Sequence, residues 1–349
     1  PIYIDCVCII SAYLGQNNGG NGNCVWACTG TTSGTFGGKK IGWFSLSSEL
    51  YPAYVDSEKT RMQINGIGVA CHELSHALGL PDIYPTTSNA YLDNQEMELW
   101  DLMDGGEYAN NSYTPTPYTA WEKKQLNWNV DIADLNESKT IMMDKTTEEG
   151  GTVYKIQNSK DVNEYFLIEN IQQTGWNSGA LYHGLQIYHV NDQNIINIYT
   201  HLNNTPEQPG MGIIPADGNS MSSYLKTSET AYEEQHKGDL FPGTSNVTEL
   251  NDTLGLPNFY WYTQDTSTAK AIFNSNYYKV NKALKNITEK DGIITFDYIS
   301  DFTTNINNIH VDGNNKYRIY TIDGRYIGDT ISTLQKGIYI INNKKMIIK

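Results

Sequence analysis

An α+β fold is what this 349-residue sequence predicts, and three observations carry the prediction. Residues 63–78 have helical periodicity and run into a glycine. Extended apolar runs precede that segment, and from about residue 138 short β-type runs alternate with Asn, Gly and Asp turns. Residues 301–349 read as strands joined by hairpin turns, apart from the rest. The expected organisation is therefore a mixed α and β domain over 1–137, a β-rich region associated with it over 138–300, and a small β module over 301–349.

In chain order, residues 2–14 are largely apolar and predict a central strand of the first domain's sheet. Residues 16–40 are dense in Gly, Asn and Thr and predict a loop. Residues 41–46 predict a short strand, an ordinary edge. Residues 63–78 predict one helix whose buried side carries Ile64, Ile67, Ala70, Leu74 and Leu78. A turn around Met103 follows at 99–106, then a short amphipathic helix at 119–126. Downstream, 151–157, 165–171 and 184–190 predict strands. In the last module, 317–322, 326–327, 336–341 and 344–348 predict strands, with Asp323-Gly324 and Asn342-Asn343 in turns.

The first helix carries the chemistry. His72 and His76 are four residues apart, so both imidazoles leave one face of a helix and can grip one metal ion. Glu73 points off that line but can still reach a water on the ion as a general base. Gly79 can take the left-handed conformation that ends a helix and turns the chain back under the metal. Asp82 then arrives six residues after His76 as a third ligand. Three protein ligands and one open position describe a catalytic zinc site rather than a closed structural one. A rival arrangement takes the third ligand from a carboxylate about twenty residues after the second histidine. Glu96 stands there, with Glu98 and Asp101 near. The prompt helix stop at Gly79-Leu80-Pro81 favours the short return to Asp82.

Other metal-binding residue types give weaker patterns. Cys6 and Cys8 face the same side of a strand and do not suit pairing with each other. Cys24 and Cys28 can bridge each other or reach Cys6 or Cys8, and Cys71 reads as a small core residue. The spacing lacks paired CxxC units, which argues against a cysteine zinc site. His183, His189 and His201 have no i+4 partner and read as strand or surface residues. Asp192, Asp217 and Asp239 fall in loops that could hold Ca2+, without EF-hand spacing.

Composition narrows the partners. There are 39 acidic against 24 basic residues, a net charge of −15, which disfavours nucleic acid and anionic membrane surfaces. No apolar run approaches the roughly 18 residues of a membrane span. The opening Pro1 predicts a chain processed from a longer precursor.

The run from His72 to Asp82 fits HExxHxxGxxD, the metzincin form of the zinc-peptidase motif with Asp in the place of a third His. Metzincins also carry a methionine in a turn beneath the metal, and Trp100-Asp101-Leu102-Met103-Asp104-Gly105-Gly106 supplies one. The ending from Gly79 to Tyr84, and the run from Trp121 to Trp128, resemble the M6, or immune-inhibitor-A-like, secreted metallopeptidases. So do Tyr165-Phe166-Leu167-Ile168-Glu169-Asn170, the run from Gly184 to Val190, and Pro215-Ala216-Asp217-Gly218.

This resemblance covers about residues 1–300 and implies a metzincin-like catalytic domain, with the 41–46 strand as the rim of a cleft to which an extended peptide can add as a further strand. It further implies a secreted or cell-surface zinc endopeptidase acting on protein or peptide, with Met103 as an apolar floor. Some metzincins place a tyrosine two residues after the turn methionine as an oxyanion donor; here Tyr108 is five residues after Met103. The alternative is a module that keeps the zinc site and binds host glycoprotein with little or no catalysis. The C-terminal string Lys336 to Lys349 resembles the small β module of exported proteins from Bacteroidetes-like bacteria, a sorting signal or a stabilising sandwich.

Overall fold

The computed structural model describes residues 2–56, 59–86, 96–192, 203–204, 209–223, 227–262, 277–302, 319–321, 325–328, 334, 336–341 and 344–348. His201, the Asp323-Gly324 and Asn342-Asn343 turns and most of the segment between Thr86 and Glu96 lie outside the described residues. The chain divides into two compact units, Pro1–Asp301 and Phe302–Lys349. It is rich in β structure with few helices, a mixed α and β architecture. No helix among the described residues is long and apolar enough to cross a membrane.

The first sheet of the larger unit is organised by one long strand. β1 (Tyr3–Leu14), β2 (Cys28–Thr31), β3 (Thr35–Phe36) and β5 (Lys59–Ile64) all pair with β4 (Lys39–Asp56). β1 runs parallel to β4, with Cys8 opposite Ser45, while β2 runs antiparallel, with Thr29 opposite the same Ser45. Among the described residues the expected central strand at 2–14 is therefore an outer strand, paired with β4 alone. Residues 41–46, expected at an edge or rim, are flanked on both sides instead. Two strands also form within the expected loop at 16–40, because β4 is long enough to template β2 and β3 beside it.

Helix α1 (Gly68–Leu78) is shorter than the 63–78 expected, since Lys59–Ile64 is drawn into pairing with β4. It ends at Gly79 with φ of 112°, the left-handed conformation a non-glycine residue resists, and Gly79 N–H donates to the Ser75 and His76 carbonyls. The apolar residues expected on its buried side do not face the core: Leu78 is 50% exposed, Leu74 also lies at the surface, and Ile67 and the 72%-exposed Ile64 precede the helix. Val69, His72, Glu73 and Ser75 are the buried ones. Hydrogen bonds make that burial tolerable. Ser75 Oγ donates to the Cys71 carbonyl and lies 2.5 Å from the Tyr118 hydroxyl.

Helix α2 (Ala120–Gln125) starts on a capping box in which Thr119 and Glu122 satisfy each other's backbone N–H groups. Beyond it, a five-stranded sheet is built from β6 (Ile132–Asp134), β8 (Val153–Gln157), β9 (Glu164–Ile171), β10 (Gly184–Asn191) and β11 (Met211–Ile213). A four-stranded sheet joins β7 (Lys139–Met143), β12 (Leu250–Asn251), β13 (Ala283–Lys290) and β14 (Ile293–Ile299).

Every residue of β9 and β10 is buried, because the two strands serve a different core on each face. Phe166, Ile168, Leu185 and Ile187 pack with Ile141, Leu284 and Phe296 of the four-stranded sheet. The alternate residues Tyr165, Leu167, Tyr188 and Val190 pack with Leu80, Ile83, Trp100, Met103 and Trp121. Residues beyond 138 thus supply half of the core under the helix stop and the Met103 turn. Helix α3 (Glu229–His236) adds a polar brace, as Tyr232 donates to Glu98 and Trp100 donates to Asp239, the residue that also meets His236.

The smaller unit is an antiparallel sheet in the order β16 (Tyr326–Gly328), β15 (Ile319–Thr321), β17 (Gly337–Ile341), β18 (Lys344–Ile348). Ile319 and Ile341 are opposite one another in its register and are buried.

Candidate metal centre

His72 and His76 leave the inward face of α1 together, their rings 4.8 Å apart and perpendicular. Each ring is tethered from behind: His72 Nδ1 lies 3.0 Å from the Leu102 carbonyl and His76 Nδ1 2.8 Å from that of Leu80. A carbonyl only accepts, so both Nδ1 atoms carry hydrogen, and Nε2 is the atom through which each neutral ring can offer a lone pair to the space between them. Asp82 enters that space. Its Oδ1 lies 3.2 Å from His72 Nε2 and 3.1 Å from His76 Nε2.

The three ligand atoms lie within 4.8 Å of one another, and among the described residues no other group of three such side chains is found. Two neutral imidazole nitrogens and a carboxylate oxygen are the donor set of a three-ligand zinc site. The residues therefore fit the metal that the motif implies. The tethering carbonyls belong to the segments that place the rest. Ile83 N–H, next to Asp82, donates to the Met103 carbonyl at 2.8 Å, and Met103 N–H donates to Asp101 Oδ1 at 2.7 Å. Met103 itself is fully buried in the apolar core below.

The rival carboxylates lie outside the ligand cluster. Glu98 accepts from Ser223 N–H and the Tyr232 hydroxyl, and Asp101 from Met103 N–H. Glu96 is buried and bonds Ile213 N–H through its carbonyl. The candidate calcium residues also have partners: Asp192 accepts from Trp121 and Tyr165, Asp217 from Asn219, and Asp239 from Trp100. His183 and His189 pair with Glu289 and Glu164. All five cysteines are free thiols, with no bridge between Cys24 and Cys28.

Electrostatics separates the roles of the charged groups. Burial disfavours a charged His72, but Glu107, Asp82 and the Leu102 carbonyl outweigh it and push the ring up to about 10. Burial likewise opposes ionisation of Asp82, yet the two imidazoles hold its carboxyl well below the usual range. Glu73 moves the other way. Burial lifts its carboxyl above the usual range, against the lowering by His72, the Thr29 hydroxyl and His76. A carboxyl raised in this way holds a proton more readily than an ordinary one, which suits a group that takes up and returns a proton.

Three neighbours of the site were not legible in the sequence. Thr29 of β2 donates its hydroxyl to Glu73 Oε2 at 2.9 Å and also meets the Glu73 carbonyl. Tyr84 stacks beside the His72 ring, with centroids 6.2 Å apart. Glu107 stands behind His72, its Oε2 3.6 Å from Nδ1. Tyr108 turns its hydroxyl toward Glu107 and Asn17. The Gly-Asn-Thr composition around Thr29 pointed only to a loop, and Glu107 is 35 residues from the histidine it approaches.

None of the curated proteins matches this chain. A family match, in contrast, spans the whole site. Residues 2–131, which contain both histidines, Glu73, Asp82 and the Met103 turn, match the family immune inhibitor A peptidase M6, catalytic domain, so this part of the chain is similar to M6 peptidases.

Proposed function

We propose that this protein is a secreted zinc endopeptidase of the metzincin type, with the ion held by His72, His76 and Asp82 and the proton moved by Glu73. The observation that carries the reading is the convergence of His72 Nε2, His76 Nε2 and Asp82 Oδ1 with both Nδ1 atoms tied to carbonyls. The family's character as metallopeptidases agrees with it, and its match gives no support to a binding module without catalysis. Zinc bound there would supply Lewis acidity, lowering the pKa of water and polarising a peptide carbonyl.

The chain's own residues do the rest. Glu73 takes a proton from the attacking water and returns it to the leaving amine, and Thr29 holds the carboxylate in place for both transfers. β2 is an outer strand beside Glu73, so an extended peptide can align along it with its scissile bond near the base. Met103 anchors the floor through packing and the Ile83 hydrogen bond. The 301–349 module is assigned to export or to stabilisation of the exported protein, in keeping with its Ile- and Tyr-rich short strands.

Zinc content and hydrolysis of an unstructured protein test this reading together. The parent is expected to carry zinc and cleave the substrate. Glu73→Gln is expected to keep the zinc and lose about 10²–10⁴-fold in hydrolysis, the range for general-base loss. Equal activity in the two proteins removes Glu73 from the mechanism, and a parent without zinc affinity removes the metal.

A further inference from the structure

Glu107 is a buried carboxylate with an unusual address. It sits in the helical turn Gly105–Tyr108, is 7% exposed, and its Oε2 makes no hydrogen bond. That oxygen faces His72 Nδ1 at 3.6 Å, beyond hydrogen-bonding range, while the Nδ1 hydrogen goes to Leu102. Among the described residues no carboxylate stands behind His76 in the same way.

The placement is built into the backbone. A Cβ on Gly68, in the first turn of α1, would lie 1.8 Å from the Glu107 carbonyl oxygen, and one on Gly66 would lie 2.0 Å from the Ser112 backbone. Only glycine lets the segment after Met103 press this closely on the helix start. Gly68 N–H then donates to the Ser112 carbonyl and fixes the contact.

A buried anion without a bonded partner on one oxygen is costly unless a positive charge lies near. Two neutral imidazoles and one carboxylate leave a divalent ion with one positive charge not compensated by its own ligands. We infer that Glu107 is the outer anion of the metal centre. It is a positioning residue that offsets this charge through the His72 ring, keeps Nε2 aimed at the ion and raises metal affinity. The inference rests on the zinc reading above. It places a carboxylate behind one ligand only, acting on the His72 ring by charge while the Leu102 carbonyl takes its hydrogen bond.

Zinc affinity of the full chain, measured by competition with a chromogenic chelator, tests the inference in Glu107→Gln and Glu107→Asp, with far-UV circular dichroism to confirm the fold. Gln removes the charge at nearly constant shape and is expected to weaken zinc about 10- to 100-fold. Asp keeps the charge one methylene further from the ring and is expected to fall between, roughly 3- to 10-fold. Affinity within about threefold of the parent in a folded Gln variant overturns the inference and leaves the zinc site standing. Equal losses in folded Gln and Asp variants also overturn it, since shape rather than charge would then govern. If only Asp folds, unchanged affinity in that variant overturns the inference. A parent that does not bind zinc overturns instead the reading on which it rests.

Discussion

The Thr29 hydroxyl donates to Glu73 Oε2 at 2.9 Å, joining an outer strand of the first sheet to the residue of α1 proposed above as the general base. Thr29 reaches this position because it is opposite Ser45 in the register of β2 on β4, on the side of the sheet where Ser45 is buried. A donor to the ionised carboxylate lowers its pKa, so the hydroxyl both orients Glu73 and tunes it.

Thr29→Val keeps the shape and deletes that donor. The Glu73 carboxyl then rises further above its usual range, and the acid limb of kcat/KM is expected to move to higher pH. A pH–rate profile of peptide hydrolysis checks this. An acid limb at the parent's position separates Thr29 from the base.

Asp82→Ala is expected to lose most of the zinc, because it removes the only oxygen donor of the cluster. Glu96→Ala is expected to leave zinc nearly unchanged. Metal analysis after dialysis of the two variants decides the matter, and the reverse pattern would move the third ligand to Glu96.

Zinc uptake is expected to release about one proton from His72 at pH 7, since a ligating imidazole must be neutral. Its folded-state value of about 10 exceeds the ordinary value of about 6.5. The stabilisation of the metal-free protein by charged His72 is therefore complete below about pH 6.5 and lost as pH rises through 10. Zinc affinity accordingly climbs with pH across that window. Titration calorimetry in buffers of different ionisation enthalpy counts the protons, and a count of zero contradicts the His72 assignment.

Tyr108→Phe removes one hydroxyl, and that hydroxyl faces Glu107 and Asn17. The expected result is a kcat within about threefold of the parent, the effect of a packing ring rather than an oxyanion donor. A fall in kcat at unchanged KM would assign Tyr108 the donor role that its position after the Met103 turn suggests.

Local sequence determined the parts of this protein that depend on near neighbours. The four-residue spacing of His72 and His76 brings their rings together, Gly79 stops the helix, and the short return delivers Asp82. Thr119 and Glu122 likewise encode their capping box, and the runs at 165–171 and 184–190 their strands. Only the tertiary structure decided which side of α1 is buried, and it chose His72, Glu73 and Ser75 over Leu74 and Leu78. Periodicity groups residues on a face but says nothing of what that face will meet. The outer position of β1, the strand around Thr29 and the approach of Glu107 to His72 arise the same way. Each is a contact between segments far apart in the chain, set by how β4 gathers its neighbours and by how closely two glycines let the Met103 segment approach the helix.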